Sequence, residues 1–263
     1  MPEKPETSTG AKSLLKELKR QGVKRFFGYP GGVLLGLYDE LYGEDELMHI
    51  LVRHEQGGVH AAEGYAKVAG RPGVVLATSG PGATNLVTGI ADAYMDSVPI
   101  ICLTGQVPTF GIGTDFFQEA DITGITYPIV KHSYLVKKPE NLAKAVANAF
   151  HICQTGRPGP VLIDMPKDVL NDEYELTNEN RIDSSFKPDI KGYKPRIKGN
   201  PKQIASAAKR ILSARRPVIY AGGGVVTSNA SKLLLQLAES CNIPVTTTLQ
   251  GKGAIPHKHP LFL

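Results

Sequence analysis

The sequence predicts an α/β protein: a doubly wound parallel sheet over residues 1–170, a linker over 171–200 and the start of a second α/β domain over 201–263. Three observations predict it. Short apolar runs alternate with segments whose apolar residues recur at helical spacing, which implies parallel pairing with right-handed crossovers. Glycines, prolines and polar residues collect where the runs end. A polar, proline-bearing stretch interrupts the alternation from 171 to about 200, after which it resumes.

Residues 1 to about 9 read as disordered, with Ser8 or Thr9 available to N-cap the helix traced by Leu14, Leu15, Leu18 and Val23. Val23–Phe27 reads as the first strand and runs into Gly28-Tyr-Pro-Gly-Gly32, followed by a helix carrying Val33, Leu34, Leu37 and Leu41. Met48–Val52 and Val74–Ala77 are the next strands; Thr78-Ser-Gly-Pro-Gly82 then leads into a helix over Ala83–Tyr94. Pro99–Leu103 is a strand followed by Thr104-Gly-Gln106, and Ser133–Val136 is a further strand. Leu142, Ala145, Val146, Ala149, Phe150 and Cys153 line one face of a helix, and Gly159–Ile163 is the last strand of the first domain. Beyond the linker come a helix over Ile204–Leu212, a strand over Pro217–Tyr220, the turn Gly222-Gly-Gly224, a helix over Ser231–Leu237 and a strand over Pro244–Thr248. Two strands are too few for a covered sheet, so the chain reads as ending in mid-domain.

The 263 residues are ample for a real core. No apolar run approaches the ~20 residues of a membrane helix, and the N-terminus has neither a signal nor a transit pattern. Cys102, Cys153 and Cys241 are odd in number and far apart; they read as buried reduced thiols, which suits a cytoplasmic protein and excludes a disulfide or zinc framework. A net charge of +5, from 30 Lys+Arg against 25 Asp+Glu, is mild. The one basic cluster, from Lys187 to Lys202, is interleaved with three prolines and only Tyr193 for base stacking, so it reads as a solvated linker and not as a nucleic-acid surface.

Glu55 stands where the strand ending at Val52 hands over to a small-residue helix (Ala61, Ala62, Gly64, Ala66). In open α/β sheets this edge binds ligands. A carboxylate there with few neutralising neighbours should be partly desolvated, which raises its pKa and suits it to share a proton. The competing reading is an ordinary helix N-terminal glutamate favoured by the macrodipole, and the local sequence does not choose between them. Gly28–Gly32, Glu55, Thr78–Gly82 and Gly105-Gln106 all follow successive parallel strands, so they share one rim, as a ligand site would. Other motifs fail on spacing. His54-Glu55 with His60 is not the zinc motif His-Glu-x-x-His, Ser79 is misplaced for a Gly-x-Ser-x-Gly elbow, and Gly222-Gly-Gly224 lacks a later third glycine. No metal ligands are assigned. His49, His132, His151, His257 and His259 have no evident partner and read as structural or surface.

Arg53-His-Glu-Gln56, Thr78-Ser-Gly-Pro-Gly-Ala-Thr-Asn-Leu86, Ala93-Tyr-Met-Asp-Ser-Val-Pro99 and Thr104-Gly-Gln106 resemble the pyrimidine-binding domain of thiamine-diphosphate-dependent enzymes. Phe116-Phe-Gln-Glu119, Ile129-Val-Lys-His132, Gly156-Arg-Pro-Gly-Pro160 and Met165-Pro-Lys-Asp168 narrow the resemblance to the catalytic large subunits of acetolactate (acetohydroxyacid) synthases. It runs from about Ala11 to Leu263, and its motifs are specific as a set. It implies that Glu55 hydrogen-bonds the cofactor's pyrimidine ring and drives the proton transfer that makes the reactive carbon nucleophilic. Pyruvate is then decarboxylated and joined to a second 2-ketoacid, pyruvate or 2-ketobutyrate, in the first common step of isoleucine and valine biosynthesis.

By the same motif match, Pro30, Gly31 and Gly32 line the pyrimidine side, and Thr78, Pro81, Gly82 and Asn85 support the ring or its loop. Gln118 and Phe117 face the reacting carbon, and Lys131 borders the substrate channel. Arg157 and the Gly222, Gly223, Gly224 turn match the family's FAD contacts. Without the resemblance, Phe117 reads equally as core, Lys131 as surface charge and Arg157 as a cap on the preceding helix. The family holds the diphosphate and Mg2+ through a Gly-Asp-Gly motif that does not occur here. The resemblance therefore implies a homodimer with the active site across the interface, a possible small regulatory subunit, and a chain inactive by itself. Two alternatives stay open: a pyruvate oxidase or other ketoacid carboligase, and a non-catalytic scaffold.

Overall fold

In a computed structural model, which describes residues 5–263, the chain divides into two compact units, one ending at Pro195 and the other spanning Arg196–Leu263. The first opens with β1 (Thr7–Thr9), α1 (Gly10–Arg20), β2 (Arg25–Gly28), a 3-10 turn, α2 (Leu35–Leu41) and β3 (Met48–Leu51). It continues with α3 (Glu55–Ala69), β4 (Gly73–Ala77), α4 (Pro81–Thr84), α5 (Val87–Asp96), β5 (Ile100–Gln106) and α6 (Ile122–Thr126). It ends with β6 (His132–Leu135), α7 (Leu142–Gln154), β7 (Val161–Pro166), α8 (Lys167–Asn171) and β8 (Glu173–Glu175). Strands β2 to β7 form one sheet in the order β3-β2-β4-β5-β7-β6, parallel throughout. That is the doubly wound sheet the alternation predicts.

Strand side chains alternate between faces, and both faces are covered. Ile101 and Leu103 of β5 join Leu14 and Leu18 of α1 and Val146 and Phe150 of α7 on one side. Ile100 and Cys102 join Val59 and Ala62 of α3 and Ile90 and Ala93 of α5 on the other. The inner strands β4, β5 and β7 are buried along their whole length, which is why they read as unbroken apolar runs. Strand β5 is held by the β7 ladder as far as Gln106, so Thr104-Gly-Gln106 belongs to the strand and is not a loop.

Three other expectations change. Of the N-terminal stretch expected to be disordered, residues 1–4 lie outside the described residues, and Thr7–Thr9 pairs antiparallel with Glu173–Glu175. Thr9 then N-caps α1, its Oγ1 accepting from Lys12 N at 3.1 Å. Within the expected linker, the residues up to Pro195 belong to the first unit and pack on it: Tyr174 Oη pairs with Ser13 Oγ at 2.6 Å, and Ile190 and Tyr193 pack on the first core. The helix expected over Ala83–Tyr94 is two pieces, α4 and α5, meeting at Asn85-Leu86.

The second unit holds α9 (Pro201–Ser213), β9 (Ile219–Ala221), α10 (Gly223–Thr227), α11 (Ser231–Cys241) and β10 (Val245–Thr247). Strands β9 and β10 pair in parallel over a small core that includes Ala221, Ala238 and Val245. All three cysteines are free; Cys102 and Cys153 are buried, but Cys241 is exposed at the last residue of α11, against the expectation of three buried thiols. No helix among the described residues is long and apolar enough to cross a membrane.

Candidate functional site

The chain leaves β2 for β3 on one side of the sheet and returns to β4 on the other. The loops after β2 and β4 therefore bound the crevice that forms at such a switch point. They touch: a Cβ on Gly31 would lie 2.3 Å from Thr78 Oγ1, so only glycine lets the two backbones approach this closely. Beneath the first loop, His49 Nε2 sits 3.2 Å from the Gly28 carbonyl oxygen and the ring stacks on Phe26. The partner expected to be missing is thus present, and burial keeps the His49 pKa below its ordinary value.

Glu55 is the first residue of α3, behind the N-cap His54, whose Nδ1 accepts from Gln56 N. Its side chain folds inward and the residue is 9% exposed. Asn85 Nδ2 donates to Oε2 at 2.9 Å, whereas Oε1 takes no hydrogen bond among the described residues. A Cβ on Gly82 would lie 3.2 Å from Oε1 and 2.7 Å from Thr78 Cγ2, so the glycine keeps the space over the carboxylate free. Nearby, Thr78 Oγ1 and Ser79 Oγ are buried without a hydrogen-bond partner among the described residues. Such orphaned hydroxyls cost about 1–3 kcal/mol each, which a bound polar ligand would offset.

The Thr78–Gly82 turn depends on Gly80, at φ 57 and ψ −116, a conformation closed to side-chain-bearing residues. A Cβ there would also sit 2.5 Å from the Gln118 carbonyl oxygen, so the Gln118 segment abuts the turn. Phe117 beside it is 83% exposed and is not core. Gly31, Glu55, Thr78, Gly82, Asn85 and Gln118 thus form one connected group, with Gly32, Pro30 and Pro81 on its loops.

Other expected residues stand elsewhere. Lys131 precedes β6 and so lies at the amino-terminal edge of the sheet, opposite the Glu55 rim. Its ammonium donates to the carbonyls of Ile152 and Thr155 and to Tyr193 Oη, closing the end of α7. Its charge is met by helix carbonyls, away from the Glu55 rim of this chain. Arg157 caps a helix, but α5 and not the preceding α7; it donates to the carbonyls of Tyr94 and Met95 and to Ser97 Oγ, the last at 2.7 Å. Arg157→Ala should lower stability by about 1–2 kcal/mol, read as a lower thermal midpoint. Gly222, Gly223 and Gly224 lie in the second unit, at the start of the five-residue α10.

Sequence reasoning missed one group. Asp164, in the middle of the apolar run Val161–Pro166, is 1% exposed and accepts from Thr104 Oγ1 at 2.7 Å and Gln106 Nε2 at 2.9 Å. An acid inside an otherwise apolar strand was the available signal. No metal site emerges among the described residues: His60, Glu63 and Asp92 converge, but Lys67 Nζ lies 2.8 Å from Glu63 Oε1 and supplies the counter-charge.

Residues 8–125 match the thiamine pyrophosphate enzyme N-terminal TPP binding domain, and residues 204–263 match the central domain of the same enzymes. The chain belongs to the thiamine pyrophosphate enzyme family. Within it, the chain is similar to proteins named for acetolactate synthesis. It is 52% identical over 263 residues to an acetolactate synthase of Arthrospira platensis, covering 97% of this chain and 44% of that one. A probable acetolactate synthase large subunit of Methanocaldococcus jannaschii is 55% identical over 254 residues, covering 97% and 42%. The acetolactate synthase large subunit of Corynebacterium glutamicum is 50% identical over 259 residues, covering 98% and 40%. The chain thus spans less than half the length of these curated relatives.

Proposed function

We propose that the protein carrying this chain is the catalytic large subunit of an acetolactate synthase, acting on pyruvate and a second 2-ketoacid. The observation that carries the reading is Glu55: a buried carboxylate with one oxygen fixed by Asn85 and the other open beneath Gly82. Thiamine diphosphate fits these residues. A pyrimidine ring needs a buried carboxyl to share a proton with a ring nitrogen, a surface without side chains to lie on, and hydroxyls for its polar edge. Glu55 Oε1, Gly82 with Gly31, and the unpaired hydroxyls of Thr78 and Ser79 supply those in turn.

When bound, the cofactor supplies the carbon nucleophile and the electron sink for loss of carbon dioxide. The protein's part is to hold and return a proton at Glu55 Oε1, to fix the carboxyl plane through Asn85, and to keep water from the crevice. Gln118 and the exposed Phe117 stand on the substrate side. Mg2+ and FAD belong to the proposal through the resemblance alone. No described cluster is open to Mg2+, and on the FAD side Arg157 spends Nε and Nη2 on the end of α5, which leaves Nη1 as its one donor without a hydrogen bond among the described residues. No step here uses either. A cytoplasmic location agrees with the three free thiols, and a small regulatory partner agrees with relatives being named large subunits.

A homodimer is supported by β3, an edge strand at the Glu55 side of the sheet on which Met48 is 58% and Leu51 64% exposed. Long apolar side chains on a bare edge invite pairing unless a partner covers them. Leu51→Asp should shift the full-length protein toward monomer in sedimentation; an unchanged dimer would place the interface elsewhere.

The deciding experiment supplies the full-length protein with pyruvate, thiamine diphosphate and Mg2+. Acetolactate without oxygen uptake is the expected result. Oxygen consumption with no acetolactate would make the protein an oxidase, and failure to bind the cofactor would leave only a scaffold.

A further inference from the structure

We propose that Asp164, acting through Gln106, is a positioning residue that sets the segment 107–121, and with it Phe117 and Gln118, against the Thr78–Gly82 turn. The placement itself needs no cofactor; its effect on catalysis rests on the acetolactate synthase reading.

Asp164 is buried between Leu162 and its neighbours on β5, where an ionisable group is costly unless something uses it. Its two acceptors are matched by Thr104 Oγ1 and Gln106 Nε2. The same Gln106 amide makes two further bonds: Nε2 donates to the Ala120 carbonyl at 2.8 Å, and Oε1 accepts from Val107 N at 2.9 Å. Val107 is where the segment leaves β5 and Ala120 stands just before α6, so one side chain grips both feet of the segment. A flipped amide would set its oxygen against the Asp164 and Ala120 oxygens and its NH2 against Val107 N–H; of these partners Asp164 is the one outside the segment, so it ties the amide, and the two ends it holds, to β7.

Between the feet the backbone is held in conformations it would not choose. Asp115 and Gln118 both have left-handed φ, at 56 and 58, and such strain persists only where the surroundings over-determine it. Glu119 contributes by accepting from Gly113 N and Phe116 N. Asp168 adds a separate hold near the first foot by accepting from Thr109 N and Oγ1. The result is the Gln118 carbonyl pressed against Gly80.

A role in orientation and one in packing alone predict opposite rankings of substitutions. Asn at 164 keeps an acceptor for Gln106, with its NH2 turned to the Thr104 oxygen; Val suits an apolar strand but removes the acceptor. In the full-length protein, amide hydrogen exchange across 107–121 should rise by about tenfold in Asp164→Val and stay within about twofold of the parent in Asp164→Asn. KM for the ketoacid should rise about tenfold in Asp164→Val, with kcat changed less. If Asp164→Val does not fold, Gln106→Met, which removes the grip and leaves the carboxyl, should loosen the same segment. Parent-like exchange in a folded Asp164→Val or Gln106→Met protein, or an Asn variant as loose as the Val variant, would overturn the proposal. A parent protein that makes no acetolactate would reject the functional reading, and the exchange result would still stand or fall alone.

Discussion

Glu55→Gln in the full-length protein is expected to cut acetolactate formation by about 10²–10⁴-fold, the range for losing a positioned proton donor or acceptor, while the unfolding midpoint hardly moves. The amide is the same size, and its oxygen can still accept from Asn85 Nδ2 as Oε2 does. That leaves an NH2 where Oε1 was, beneath Gly82: a fixed donor that can neither take nor release a proton at neutral pH. Asn85→Ala should cost less, about tenfold, because it leaves the carboxyl chemically intact and only frees its orientation. Activity within twofold of the parent in Glu55→Gln, with the fold intact, would remove the proton-sharing role and with it the main support for the functional reading.

The second large effect lies in stability. Burial pushes the Asp164 carboxyl up to about 7, against the Thr104 and Gln106 hydrogen bonds that pull it down and with Asp121 adding to the rise. The unfolded chain releases this proton near pH 4. Between about pH 4 and 7 the folded protein therefore holds a proton that the unfolded one has lost, and linkage makes stability fall as pH rises through that window. The whole penalty is on the order of 4 kcal/mol, absent below about pH 4 and fully present above about pH 7. Asp164→Asn has no such proton. The gap in unfolding free energy between variant and parent, measured by chemical denaturation, should move in favour of Asn by several kcal/mol from pH 4.5 to 8. A gap independent of pH would mean that the carboxyl is ionised in the fold throughout.

Much of this architecture is written locally. The apolar runs at 74–77, 99–103 and 159–163 are strands because both their faces are buried, and burial on both faces leaves a run unbroken by polar residues. Glu55 and the glycine-rich loops were legible for a related reason: in a parallel sheet the carboxyl ends share an edge, so position along the chain already gives position on the rim. What the residues could not give was pairing at long range. Strand β1 owes its existence to a partner about 165 residues away, and no three-residue stretch announces that. Lys131 and Arg157 stand beside the same kinds of motif as the rim residues, yet both precede their strands and so face the opposite edge, where helix carbonyls claim their charge.

The sequence by itself determined the layer order, the strand ends that gather into the candidate site and the acidic residue among them, because each follows from periodicity and chain direction. Only the tertiary structure decided which oxygen of Glu55 is left open, which helices the two cations close, and that Asp164 steers Gln106. Those depend on side chains meeting across the sheet at hydrogen-bonding distance, and the distances exist only once the strands have found their neighbours.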